Sequence, residues 1–577
     1  MRYKNKLIIM IFLILFFMMA PYFLHVSSNK NIFYLDNQID RIIDGQILFA
    51  PYYTTTTYLI NENGLVNHTW PSNYRPFTEA YWLGNGTILR PIISGGGGIQ
   101  KILWDGTIEW DFRYTISGCT CHHDIEPLPN GNVLMIVWED KTRAQAIEAG
   151  RDPNSFVGSI FTPDKVIEVK PTGPTSGDIV WEWHVWDHLI QDFDPTKDNY
   201  GVVGDYPELI DINYGDTFVD DWLHTNSIDY HPQFDQILLD VHNFNEIWVI
   251  DHSTTTAEAA GHTGGNSGKG GDILYRWGNP ESYDAGNSSD QKLFFQHDAS
   301  WIKPGYPGEG NIIVFNNGNN RPSGQYSTID EFTPPVDSNG YYYLQQGSAY
   351  GPDDYTWSYI ADPPTSFFSA VFGGAQRLLD GNTLICYGVP GKFYEVSPDN
   401  TLVWQWTNPY PYPNQNSVFK IEFIPTEEPQ PKYYADLDGE GSLSWYNVKP
   451  GETVFGSFQV QNIGDKGSQL NWFVNTSSIN WGTWSFNPSS GEGLKPEDDT
   501  VTVEVSVIAP NVTNSEFSGN IRIENQENSS DFDLIPAYLK TPKKISIFQL
   551  PIYQFIIRLK CLFSDSIYYF LENILKF

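Results

Sequence analysis

Leu379-Asp-Gly-Asn-Thr-Leu-Ile, Lys392-Phe-Tyr-Glu-Val and Asn400-Thr-Leu-Val-Trp-Gln-Trp follow one another in the stretch from 379 to 406, and together they read as one repeating unit. The Asp-Gly pair supplies the positive φ angles of a tight turn, and the apolar residues after it build the next strand. Lys392-Phe-Tyr-Glu-Val fills the interior of the unit, and the Trp-x-Trp strand closes it with aromatics on its buried face. The turn phrase recurs at Trp82-Leu-Gly-Asn-Gly-Thr-Ile-Leu, Leu128-Pro-Asn-Gly-Asn-Val-Leu and Gly308-Glu-Gly-Asn-Ile-Ile-Val. The closing phrase recurs at Gly106-Thr-Ile-Glu-Trp, Gly177-Asp-Ile-Val-Trp-Glu-Trp and Gly271-Asp-Ile-Leu-Tyr-Arg-Trp.

Repetition of this kind predicts six units, near 44–72, 78–113, 122–186, 224–278, 297–360 and 372–407, the first being the faintest. Four antiparallel strands cannot bury both faces alone, whereas a ring of such sheets leaves only short edges. The expected fold is therefore all-β, a six-bladed β-propeller over 35–408. Two packed sheets, the alternative, give no reason for the same phrase to recur. Proline-rich sequence over 409–432 reads as a linker. The alternating strands of 433–541, such as Thr500-Val-Thr-Val-Glu-Val-Ser-Val, predict an immunoglobulin-like β-sandwich without a disulfide pair, suited to a spacer or adhesion role. The tail, 542–577, reads as amphipathic and suited to docking on lipid or a partner.

Arg2, Lys4 and Lys6 precede an apolar run from Leu7 to Leu24, so 1–28 serves equally well as a signal peptide or as an N-terminal membrane anchor. Either reading predicts export, to the cell surface or beyond. Sequons at Asn67, Asn85, Asn287, Asn475, Asn511 and Asn528 agree weakly with that location. Cys119, Cys121, Cys386 and Cys561 are too few and too unevenly spaced for a disulfide framework. A net charge of −35 argues against nucleic-acid binding, and an anionic substrate would need cations inside its site to reverse the field.

All twelve histidines lie at or before position 297, and several share one place in the repeat. His122 and His123 open the third unit, His224 the fourth and His297 the fifth, at the mouth of the expected channel. Three units in register suggest a shared functional site. Arg321 sits in a Gly/Asn loop of the fifth unit, where a planar five-donor cation suits a sulfate or carboxylate. Asn226 and Asn317 are candidate neutral donors, with strand-end hydrogen bonding as their plain alternative. Asp298 is a poor orienter of His297, because neighbouring strand residues face opposite ways.

Three segments, Asp221-Trp-Leu-His-Thr-Asn-Ser-Ile-Asp-Tyr, Phe295-Gln-His-Asp with the later Phe315-Asn-Asn-Gly, and Gly374-Ala-Gln-Arg-Leu-Leu-Asp-Gly-Asn-Thr-Leu-Ile-Cys, are similar to the aryl-sulfate sulfotransferases. This resemblance to the ASST-type arylsulfotransferases covers essentially the whole repeat region. It implies PAPS-independent transfer of a sulfuryl group from a phenolic sulfate ester to another phenol, through a sulfated histidine and with no cofactor. The family's sulfate-site residues carry over to His224, His297 and Arg321. With His123 these make the expected catalytic set, and His122, Asn226 and Asn317 the substrate-binding set. The family's best-described nucleophile, however, is a histidine late in the propeller, and none follows His297 here.

On this reading a neutral imidazole attacks sulfur while Arg321 and a protonated histidine hold the sulfonate and leaving oxygens. His123, His224 and His297 all remain candidates for nucleophile. A metal site built on Cys119, Cys121, His122 and His123 is a second reading, disfavoured because ligands so close in sequence seldom close a tetrahedron; no metal is expected there. His184 and His188 are expected to line the channel mouth. A non-catalytic surface propeller that binds a ligand or partner is the third.

Overall fold

The computed structural model describes residues 45–543 apart from 94, 156–157, 216–219, 346, 427–434, 465–467, 476, 478 and 530. The N-terminal segment 1–28 and nearly all of the tail 542–577 lie outside the described residues. The chain divides into two units, Met1–Pro429 and Gln430–Phe577.

The first unit is all-β and carries six four-stranded antiparallel sheets in chain order. Sheet two runs Tyr81–Trp82, Ile88–Ile92, Gly98–Ile102, Ile108–Arg113, and sheet three Cys119–Pro127, Val133–Glu139, Asp164–Gly173, Ser176–His184. Sheet four is Thr225–His231, Gln236–Val241, Glu246–Asp251, Tyr275–Trp277, and sheet five His297–Trp301, Ile312–Asn316, Thr328–Phe332, Trp357–Tyr359. Sheet six comprises Gly374–Arg377, Thr383–Tyr387, Lys392–Val396 and Leu402–Thr407.

Sheet one departs from the expected plan. Its strands Gly45–Pro51, Thr57–Asn61 and Val66–Trp70 are completed by Val418–Pro425, which pairs antiparallel with Gly45–Pro51. Part of the stretch 409–432, read as a linker, is therefore a strand. Prolines at 409, 411 and 413 mark only the turn leading into it, and alternating Val418, Lys420 and Glu422 against Phe419, Ile421 and Phe423 give the sheet period. Val418–Pro425 of sheet one and the leading strands of sheets two to six contact one another in succession and back to the first, in part through Ile88–Ile92 of sheet two.

Asn85 (φ 51°) and Gly86 (φ 78°) show the expected pair of positive φ angles, but not every turn does. At 128–132 only Gly131 is left-handed (φ 83°), its N–H donates to Leu128 O at 2.9 Å, and Asn130 Oδ1 accepts from the Asn132 N–H. This matches a type I turn followed by a left-handed glycine.

Packing between sheets is aromatic, as in the Trp277–Phe332 stack at 3.9 Å. One ion pair is wholly buried: Glu246 accepts from Arg276 Nε at 3.0 Å, and Trp248 Nε1 donates to the same carboxylate at 2.8 Å. Arg276→Met leaves that carboxylate buried and unpaired, so it is expected to destabilise the fold by about 3–5 kcal/mol in denaturant melts.

The second unit has a four-stranded sheet, Leu437–Glu440, Thr453–Asn462, Val501–Ile508, Thr483–Asn487. Its five-stranded sheet is Leu443–Tyr446, Phe532–Lys540, Glu516–Asn525, Leu470–Asn475, Ser490–Leu494. One hydrophobic cluster, including Trp472, Val503, Ile521 and Ile535, draws on both.

Candidate active site

The leading strands of sheets three, four and five lose regular pairing where their histidines stand, with register shifts between Cys121 and Ile125, Thr225 and Ser227, and His297 and Ser300. His123 (φ 51°), His224 (φ 52°) and Asp298 (φ 56°) are left-handed. Non-glycine residues tolerate this region at a cost of about 1–3 kcal/mol, and such strain gathers at functional sites. The kink breaks strict alternation, so the neighbours His122 and His123 turn toward each other, Nδ1 to Nδ1 at 2.8 Å.

What results is a row of rings. His122 and His123 are 5.1 Å apart, His123 and His224 4.5 Å, His224 and His242 5.0 Å, and His242 and His297 5.1 Å between centroids. His242, which sequence reading missed, comes from the turn after Gln236–Val241. A signal for it existed: His242-Asn243 ends the second strand of its sheet, as Asn316-Asn317 ends the second strand of sheet five.

Each ring is held differently. His297 Nδ1 lies 2.9 Å from Asn317 Oδ1, and Asn317 Nδ2 donates to Ser369 O at 2.8 Å and Phe372 O at 3.0 Å. Two carbonyl acceptors fix the amide, so its oxygen faces the ring and the proton belongs on Nδ1, leaving the Nε2 lone pair free. Burial lowers the His297 pKa to about 4, so the ring is neutral at physiological pH. His242 follows the same logic, with Nδ1 2.8 Å from Asn243 Oδ1 and Asn243 Nδ2 donating to Asp221 O. Burial and then its charged neighbours hold His242 well below the ordinary histidine range, and do the same to His123.

His224 is the exception. Burial alone would lower its pKa, but the hydrogen bond and charge of Asp221 at Nδ1 outweigh it and raise the value. Trp138 Nε1 donates to Asp221 Oδ1 at 3.0 Å and holds the carboxylate. His122 stacks on the Trp138 ring at 4.1 Å and places Nε2 3.2 Å from Asp164 Oδ1. Asp164 Oδ2 in turn accepts from the Thr225 N–H, joining sheets three and four behind the row.

Aromatic rings border the row. Phe419 lies 5.4 Å from His297 and 6.0 Å from His123, Phe372 packs on Phe419, Phe295 meets His242 at 5.0 Å, and Phe77 meets His123 at 6.1 Å. Phe372 (φ 60°) opens sheet six in the left-handed conformation that His123 and His224 adopt. No histidine follows His297 in the sequence, and a phenylalanine stands at this entry to sheet six.

Of the residues named from sequence, His122, His123, His224, His297 and Asn317 are brought together. Asn226 has no described contact to a row histidine; its Nδ2 donates to Gln296 O, bracing the strand just before His297. Arg321 is elsewhere too. Its guanidinium packs over Phe294 and Tyr326 at 5.0 and 4.7 Å, and Nη2 donates to Thr328 Oγ1, with no described contact to a row histidine. Its loop turns back along sheet five, where Asp330 draws the charge.

The cysteine-histidine metal set is not assembled either. Cys121 is buried in an apolar cluster, which pushes its thiol pKa up, while His122 and His123 are engaged as described. His184 pairs with Glu139 and Glu182, and His188 packs on Trp183, so neither lines the row.

Asp124, Asp298 and Lys420 are sequence neighbours of His123, His297 and Phe419, yet they gather apart from the row. Lys420 Nζ lies 3.0 Å from Asp124, 3.1 Å from Asp298 and 2.5 Å from Glu79. The adjoining cavity, about 260 Å³, contains none of the row histidines. Its buried Lys420 pairs with carboxylates of sheets three and five and with Glu79, just before sheet two.

Five histidine rings thus stand in one row, and Asp221 raises the pKa of one of them. Residues 106–439 match the family model "Arylsulfotransferase (ASST)", and the chain belongs to that family. It is thus a sulfotransferase in the general sense, acting between phenolic sulfate donors and phenol acceptors without PAPS. No curated protein matches it. Among solved structures it is similar to a protein of unknown function from Bacteroides caccae, 12% identical, covering 66% of this chain and 99% of that one at TM-score 0.36. It is also similar to apo AztD from Citrobacter koseri, 8% identical, covering 66% and 98% at TM-score 0.31. At such scores these likenesses carry no argument.

Proposed function

We propose that the chain transfers a sulfuryl group from an aryl sulfate to a phenol through an N-sulfo intermediate on His297. The observation that carries this reading is the pairing of a neutral ring, its Nδ1 proton held by Asn317, with a ring whose pKa Asp221 raises in the same row. His297 Nε2 attacks sulfur, the S–N bond forms, and the aryl S–O bond breaks. The departing oxygen takes its proton from His224 Nε2 and leaves as a phenol. The sulfated imidazole is positive, and the Asn317 carbonyl on its Nδ1–H stabilises that charge. In the second half an acceptor phenol gives its proton to His224 while its oxygen displaces nitrogen from sulfur.

The protonated His224 also supplies a cation against the strongly acidic chain. Phe419, Phe372, Phe295 and Phe77 offer faces for the donor and acceptor rings. We further propose that the six sheets are blades of a β-propeller and that the second unit is an immunoglobulin-like sandwich. The basic and apolar N-terminus supports export to the cell exterior. Incubation with 4-nitrophenyl sulfate and a phenol is expected to release 4-nitrophenol and form the new aryl sulfate in equal amounts. Release no greater than that of heat-treated protein would instead favour a non-catalytic surface protein, the reading that the lack of a histidine after His297 supports.

A further inference from the structure

The connection from Glu246–Asp251 to Tyr275–Trp277 assembles a second constellation, sharing no residue with the histidine row. His188, from the turn Val185–His188, and His262 and Asp272, from the connection, bring two Nδ1 atoms and a carboxylate oxygen within 4.8 Å of one another. His188 Nδ1 lies 2.9 Å and His262 Nδ1 2.7 Å from the same oxygen, Asp272 Oδ1.

The surroundings fix this geometry. His188 is fully buried, its ring runs parallel to that of Trp183 at 5.8 Å, and its Nε2 lies 2.8 Å from Ala259 O. A carbonyl only accepts, so Nε2 carries a proton, and Nδ1 is the atom that faces Asp272 Oδ1, where an ion would take the place of the proton between them. That second-atom hydrogen bond to a backbone carbonyl is the usual support of a metal-bound imidazole. Gly271 completes the cradle. A Cβ there would lie 2.0 Å from Ala259 O and 2.7 Å from His188 Nε2, and its own carbonyl accepts from Trp183 Nε1 at 2.7 Å.

We propose that His188, His262 and Asp272 bind a divalent transition ion of the Zn²⁺ type. Two imidazoles and a carboxylate are a borderline donor set that suits Zn²⁺, with bonds of about 2.0–2.2 Å. Three protein ligands leave the fourth position to water. The His262 side chain is 61% exposed and borders a groove with Trp186, Tyr200 and Tyr206, which gives the ion and that water a path. The ion would fasten the connection of sheet four to the end of sheet three.

The test uses full-length protein stripped with chelator, reloaded with Zn²⁺ alone, desalted and measured for zinc by elemental analysis, beside His262→Ala and Asp272→Asn. The wild type is expected to retain one more ion per chain than His262→Ala, whose affinity falls by about tenfold or more in calorimetric titration. Zinc is expected to raise the wild-type Tm and leave that of His262→Ala unmoved. Equal zinc retention by wild type and His262→Ala, or none by the wild type, overturns the proposal. Because His262 is exposed, its loss is not expected to unfold the chain, and circular dichroism of the variant checks this.

Discussion

Replacing His297 with glycine is expected to lower the rate of sulfuryl transfer on the order of 10³-fold or more, because the atom that receives sulfur is gone. His242 is neutral and similarly held, but it is packed edge-on between His224 and His297 at 5.0 and 5.1 Å, next to the cation. His297 is the ring whose far side meets Phe419 and whose Nδ1 rests on an amide fixed by two carbonyls. Added imidazole is expected to restore part of the nitrophenol release by His297→Gly and none by a variant lacking another row histidine. Restoration confined to His224 or His123 variants would move the nucleophile to that ring.

Asp221→Asn is expected to lower kcat/KM by about 10²–10⁴-fold, more for a donor with a poor leaving group than for 4-nitrophenyl sulfate. The direction follows from charge. His224 has a raised pKa, and its service as an acid is lost as pH rises through that raised value. On the acid side activity falls as His297 protonates, near about 4. An amide cannot hold the imidazolium, so in Asp221→Asn the alkaline limb of the pH profile moves to lower pH while the acid limb stays. Trp138 donates to Asp221 in the native site, and an amide oxygen accepts the same bond, so the variant keeps its packing. An unmoved alkaline limb would take His224 out of the role of acid.

Much of this was legible in the sequence because the repeat is written in residues with strict backbone demands. Asn-Gly and Asp-Gly turns and Trp-x-Trp strands name the hairpins, and their spacing gives the count of sheets. The strand Val418–Pro425 was hidden because its partner, Gly45–Pro51, is at the other end of the unit, and no local pattern states a pairing across that separation. Four row histidines, on three units, showed themselves by sharing a place in the repeat. His242 did not, since it follows a second strand, and only the antiparallel return of Gln236–Val241 carries it back beside His224. Arg321 shows no described contact with the row for the opposite reason: proximity in sequence to Asn317 says nothing of which way the loop 317–327 turns its longest side chain. The left-handed residues at 123 and 224 were equally unreadable, because histidine does not announce that conformation as glycine does.

The central claim is that a sulfuryl group rests covalently on His297 between the two half-reactions. The most direct measurement mixes the protein with 4-nitrophenyl sulfate and no acceptor, quenches at neutral to alkaline pH, and locates added SO₃ by peptide mass mapping. The account predicts one sulfuryl group per chain, on the peptide that contains His297, lost when a phenol is added and never formed by His297→Gly. A sulfuryl group found on another residue, or nitrophenol release with no sulfated protein at any time, would contradict it.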